Sequence, residues 1–147
     1  MTKPASDLAF RYGNPACDCD GAMIRAQCRH LALVVTISGD IDEANVERVS
    51  QYIRHFILAE KPLVLDLNGV DSFAAQSISL LYAVDQDCRT AGVEWYLIAG
   101  QPVVRVLRTF DDPANFPIAG SVPEALHHFA DAIDARRQLL PLLSKTA

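Results

Sequence analysis

No stretch of this chain reaches the roughly 18 uninterrupted apolar residues that a membrane helix needs. Met1 to Asp20 is polar and lacks an apolar core segment, so it does not read as a secretory signal. There is no basic stripe: 13 Lys and Arg stand against 18 Asp and Glu, a net charge of -5. Nothing in that balance attracts a phosphate backbone, so nucleic acid is not an expected ligand. Glycine-rich phosphate loops of the Gly-x-x-x-x-Gly-Lys or Gly-x-Gly-x-x-Gly type are missing. A cytoplasmic, non-membrane protein is the expectation, and its four cysteines (Cys17, Cys19, Cys28, Cys88) would then stay reduced.

What is present suits one ordinary domain. With 147 residues, half of them apolar, the chain can bury a core without metal or disulfide support. Residues 1–20 hold Pro4, Gly13, Asn14 and Pro15 without a period and read as a flexible arm. Met23–Cys28 alternates, and Leu31–Ile37 is a β-branched run; Arg29 and His30 between them suggest a hairpin. The unbroken apolarity of the second run predicts a strand covered on both faces. Gly39-Asp40-Ile41-Asp42 should break it, with Asp42 capping a helix whose inward face is Val46, Val49, Ile53, Phe56 and Ile57.

Leu63–Leu67 is the next expected strand, closed by the turn dipeptide Asn68-Gly69. Val70 to Ala74 would connect it to a second helix facing inward through Ile78, Leu81, Val84 or Asp85, and Cys88, and ending at Gly92. A strand follows over Glu94–Ala99, then a short helix to Phe110 and an edge strand near Ile118. Ser121-Val122-Pro123-Glu124 is a capping box for a last helix carrying Leu126, Phe129, Ile133 and Leu140. Pro141 onward, residues 141–147, reads as a tail. Strands alternating with helices predict an α/β domain over 21–140: a mixed β-sheet of about four or five strands with about four helices packed against it.

Several residues invite a chemical reading, and each has a plainer one. Cys17-Asp18-Cys19 with Cys28 lacks the paired spacing and fourth ligand of a structural zinc site. A redox role for Cys17 and Cys19 has no cation nearby in sequence to support it, while Cys28 and Cys88 read as small buried apolar residues. Asp66 and Asp71 could be paired acids, but no histidine or serine stands at triad spacing. His127 and His128 fall inside a helix, and Arg136 and Arg137 suit a helix C-terminus. One of Trp95 and Tyr96 should face the core; the other, if exposed, would anchor an interface. No metal, cofactor or catalytic set emerges.

Two motifs carry a resemblance. Gly39-Asp40-Ile41-Asp42 resembles the Gly-Glu-x-Asp step, and Leu63-Val64-Leu65-Asp66-Leu67-Asn68-Gly69-Val70 resembles the Leu-Asp-Leu-Ser-x-Val strand, of the STAS domain. That is the fold of bacterial anti-anti-sigma factors (anti-sigma factor antagonists), and the stand-alone actinobacterial kind is the nearest in look. The resemblance spans about residues 20 to 138. It implies a non-enzymatic binding module that docks on the kinase-like, ATP-binding domain of an anti-sigma factor. Asp40, Asp42, Ser72, Phe73, Ala74, Ala75, Gln76 and Ser77 would form the contact surface, with Phe73 as its hydrophobic anchor.

In that family the partner phosphorylates a serine at the start of the second helix and so ends binding. The family reads Phe-Ile-Asp-Ser-Ser-Gly-Leu-Gly there; this chain reads Ser72-Phe73-Ala74-Ala75-Gln76-Ser77-Ile78-Ser79. Aligned on Gly69-Val70, the phosphorylated serine becomes Ala75 and its neighbour Gln76, so the usual switch has no hydroxyl. Ser77, or Ser72, is the remaining candidate for phosphorylation by another kinase. A small-ligand or thiol redox sensor is the alternative function, and homodimerisation through the sheet edge or the arm is a further expectation.

Overall fold

A computed structural model describes residues 16–29, 32–57 and 61–146. Its centre is a five-stranded sheet in sequence order, β1-β2-β3-β4-β5. The strands are β1 (Ala16–Cys19), β2 (Ala22–Cys28), β3 (Leu33–Ile41), β4 (Leu63–Phe73) and β5 (Trp95–Ile98). The pairs β1/β2 and β2/β3 are antiparallel, whereas β3/β4 and β4/β5 are parallel. The helices are α1 (Val46–Arg54), α2 (Ile78–Ala91), α3 (Gln101–Phe110) and α4 (Val122–Thr146).

Burial follows the residue pattern. In β2 the small and branched Ala22, Ile24 and Ala26 point inward while Met23, Arg25 and Gln27 face out, the alternation of a half-covered strand. In β3 and β4 the continuous apolar run is buried on both faces, as expected for parallel strands. Leu33, Val35, Leu63, Leu65 and Leu97 meet Val49 and Ile53 of α1, Leu81 and Val84 of α2, and Val103 and Leu107 of α3. On the opposite face Val34, Val64 and Ile98 pack beneath Ala125 and Phe129 of α4.

Several boundaries differ from the sequence reading. Residues 16–19 are not arm but edge strand: β1 and β2 form a hairpin around Asp20 (φ 49°) and Gly21 (φ 107°), a two-residue turn of the Asp-Gly kind. The rest of the expected arm, 1–15, lies outside the described residues, as do His30 and Leu31 of the second hairpin. That hairpin is closed by hydrogen bonds exchanged between Arg29 and Ala32 (2.8 and 3.3 Å).

Gly39 does not end β3, and Asn68-Gly69 does not end β4. Both strands run on, and β4 takes up an extra residue twice, between its partners of Thr36 and Ser38 and again between those of Gly39 and Asp40. At Gly39 (φ +90°) a Cβ would stand 2.2 Å from the Gly21 carbonyl oxygen, so only glycine lets the two hairpins close on each other. The α4 helix continues past Pro141 to Thr146, where a tail was expected. Its start is as read: Ser121 Oγ accepts from the Glu124 amide (3.2 Å), while the Glu124 carboxylate accepts from the amide of Gly120 rather than of Ser121. Gly92, at φ +71°, closes α2.

Among the described residues no helix is long and apolar enough to cross a membrane.

Candidate functional site

The parallel register of β3 and β4 joins the two motifs that lie about 25 residues apart in sequence. Asp40 pairs with Ser72 and Ile41 with Phe73 at the carboxyl ends of the strands. Beyond them the chain makes a single 3-10 turn, Ala75–Ser77, which runs into α2. Ile41 holds this corner: its carbonyl accepts from the Ala74 amide (3.0 Å) and from Ser77 Oγ (3.1 Å). No side chain caps the 3-10 turn at Ala74. Asp40, Ser72 and Gln76 are exposed, and Asp42, Ala74 and Ala75 are half-buried. Asp40 beside Ser72, with Ala74, Ala75 and Gln76 following Ser72, makes a ridge at the head of α2, and Asp42 follows Asp40 two residues on.

Two of the expected contact residues face the other way. Phe73 is only 6% exposed and belongs to the core beneath α1 and α2, because the second extra residue in β4 turns it to the inner face. It is therefore not the surface anchor. Ser77 is fully buried, with its hydroxyl committed to Ile41. A kinase would have to unfold the corner to reach it, which removes Ser77 as an accessible phosphorylation site. Ser72 remains exposed.

The step between β3 and α1 is fixed by Asp42 of the motif and by Asn45, to which the motif did not point. Asp42 accepts through Oδ1 from the amides of Ala44 (2.9 Å) and Asn45 (3.3 Å), a short-range turn of the Asx kind. Asn45 is wholly buried. Its Nδ2 donates to the carbonyls of Asp40 (2.8 Å), Cys19 (3.1 Å) and Asp20 (3.2 Å), and its Oδ1 accepts from the Asp42 amide (3.0 Å). One side chain thus ties the β1–β2 turn, the end of β3 and the start of α1 together. Arg48 of α1 adds an exposed ion pair to Asp20 (2.7 Å).

The cysteines divide as follows. Cys88 is buried in α2, and burial pushes its thiol up to about 12. Cys28 is exposed rather than buried as expected. It cannot join Cys17 and Cys19 on a metal: Cys17 pairs with Ile24, and Cys28 lies four residues further along β2, roughly 13 Å at ~3.3 Å per residue. Cys17 and Cys19 themselves are neighbours, with sulfurs 3.7 Å apart.

The other candidates have structural partners. Asp66 accepts from the Asn68 amide (3.0 Å) within the irregular part of β4, and Asp71 is exposed two residues past the Gly69 position. Trp95 is buried and donates through Nε1 to Asp85 (3.0 Å). Tyr96 stacks on His128 and meets Phe129 under α4, so neither aromatic is a free anchor. His127 lies beside Asp131 (3.3 Å) and Arg136 pairs with Glu94 (2.7 Å).

The comparisons agree with this geometry. Residues 23–124 match the STAS domain family. Osmosensory protein A of Mycobacterium tuberculosis is 50% identical over 151 residues, spanning 99% of this chain and 96% of that protein. An anti-sigma factor antagonist from Mycobacterium paratuberculosis superimposes with a TM-score of 0.66 at 21% identity, over 77% of this chain and 97% of the other. RsbS from Moorella thermoacetica gives 0.62 at 16% identity, over 76% and 97%. The sheet order, the joined Gly39–Asp42 and Leu63–Val70 motifs and these matches have one reading: the chain belongs to the STAS domain family.

Proposed function

We propose that the chain is a non-enzymatic regulatory module of the anti-sigma factor antagonist kind. It docks in the cytoplasm on the kinase-like domain of an anti-sigma factor and lacks the hydroxyl that would switch it off. The supporting observation is the ridge at the head of α2. Asp40 pairs with Ser72, Asp42 follows two residues on, and Ala74, Ala75 and Gln76 lead from Ser72 into α2. The two positions that carry serines in the family are Ala75 and Gln76, neither of which can hold a phosphate ester. The buried Ser77 does not replace them. The 50% identical mycobacterial relative, named for osmosensing, suggests that the signal served is osmotic stress.

The test is a binding titration against the kinase-like anti-sigma factors of the source organism. Ala75→Glu puts a charge in the middle of the ridge, and Arg25→Glu puts one on the open face of β2. Ala75→Glu weakens the cognate complex at least about tenfold, a loss of ~1.4 kcal/mol, whereas Arg25→Glu leaves it unchanged. Equal binding by Ala75→Glu and the unaltered protein would move the docking surface elsewhere.

A further inference from the structure

Cys17 and Cys19 sit two residues apart on an edge strand, so the pleat turns both side chains to the same face, toward α1. Their sulfurs already touch at 3.7 Å. They border a cleft of about 180 Å³ shared with Arg48, Gln51, Tyr52 and His55. Cys17 is half-buried and reachable from that cleft; Cys19 lies beneath it, 2% exposed. The Cys19 carbonyl is one of the oxygens held by Asn45 Nδ2.

We propose that Cys17 and Cys19 form a reversible dithiol–disulfide pair, oxidised by a hydroperoxide, whose closure loosens the Asn45-held step from Asp40 to Ala44. In the first step the Cys17 thiolate attacks the peroxide. A sulfur–oxygen bond forms, the oxygen–oxygen bond breaks, and the departing alkoxide or hydroxide takes up a proton to leave as alcohol or water. The Cys19 thiol then loses its proton and attacks the Cys17 sulfenic acid; the disulfide forms and the sulfur–oxygen bond breaks, with the second oxygen leaving as water. Two electrons pass from the two thiols to the peroxide. Burial holds the Cys19 thiol up, at about 11, which assigns the first attack to the more open Cys17.

Closure favours a somewhat shorter β1. Residues i and i+2 of a strand are roughly 6.6 Å apart at ~3.3 Å per residue. That is the upper end of the ~4.4–6.8 Å that a disulfide spans. Drawing the sulfurs from 3.7 Å into a bond pulls on a four-residue edge strand at the residue whose carbonyl Asn45 holds. Asn45 also holds the Asp40 carbonyl and the Asp42 amide, so the disturbance reaches the ridge described above. That last consequence rests on the docking reading; the disulfide itself does not.

The test uses the full chain carrying Cys28→Ser, reduced, treated with hydrogen peroxide, blocked with iodoacetamide and cut with trypsin. The peptide from Tyr12 to Arg25 contains Cys17 and Cys19 and no other cysteine. It is expected unalkylated and lighter by two hydrogens, and to return to the dialkylated form after a thiol reductant. Amide exchange of Asp40–Ala44 is expected to rise on oxidation, and not to rise in a Cys17→Ala variant treated alike. Full alkylation of both thiols after peroxide, over-oxidation of Cys17 beside a free Cys19, or unchanged exchange in the disulfide form would each overturn the proposal. Because no partner protein is used, this result and the docking result can fail separately.

Discussion

Replacing Asn45 by alanine probes the joint on which the whole Asp40–Asp42 step hangs. The side chain is fully buried and faces four backbone groups: three carbonyls on Nδ2 and one amide on Oδ1. Two amide protons cannot serve three acceptors fully, so the equivalent of three hydrogen bonds is lost. At about 1 kcal/mol each, Asn45→Ala costs ~3 kcal/mol. Water entering the vacated space would lower that figure, and unsatisfied carbonyls left buried would raise it. A cost of ~3 kcal/mol is a large share of the ~5–15 kcal/mol that hold a domain together. It corresponds to a melting point lower by roughly 6 to 12 °C. Asn45→Asp is expected to be at least as costly, because it turns an acceptor toward three carbonyls. Urea unfolding of the three proteins, followed by far-ultraviolet circular dichroism, measures this. A cost below about 1 kcal/mol for Asn45→Ala would mean that the joint is held by the strands and not by the side chain.

Gly39→Ala places a methyl 2.2 Å from the Gly21 carbonyl at a positive φ, so it should cost more than about 2 kcal/mol in the same urea assay. Gly92→Ala, which has the same sign of φ but open space around it, should cost about 1 kcal/mol. The exposed Tyr82 hydroxyl donates to Asp111, and that bond raises the tyrosine and lowers the carboxyl from their ordinary values. A lowered carboxyl contributes stability above its unfolded pKa, near 4, and loses it as pH falls through the folded value; a raised phenol contributes below about 10 and loses it as pH rises. The unfolding midpoint of Tyr82→Phe should therefore lie below that of the unaltered protein at neutral pH, with the gap closing at both extremes. A gap constant across the whole range would contradict this pairing.

Much of the fold was legible because local pattern and tertiary demand coincide. The β-branched run at Leu33–Ile37, the Ser121–Glu124 box and Gly92 each satisfy a single physical requirement, and each appears where it was read. The misreadings of where β3 and β4 end share a cause: turn-forming residues placed inside strands. Gly39 and Asn68-Gly69 look like punctuation, but here a parallel partner strand carries the chain through them as irregular pairing. That continuation sets which residues of the 72–77 segment face out, so Phe73 could not be separated from Ser72 without the register. The missed β1 had a signal: Asp20-Gly21, between short alternating segments, is a two-residue hairpin turn. Asn45 had none. A buried asparagine that holds a turn, a strand end and a helix start shows itself only once Cys19, Asp20 and Asp40 are brought together.

The central claim is a docking module with no hydroxyl at the switch position. Its most direct measurement is the intact mass of the protein after incubation with its kinase-like anti-sigma partner and ATP, taken beside the stability of the complex. The mass is expected to stay unchanged and the complex to persist, while a variant carrying Ala75→Ser and Gln76→Ser gains one phosphate and dissociates. A phosphate on the unaltered chain, or a complex that falls apart on ATP without one, would contradict it.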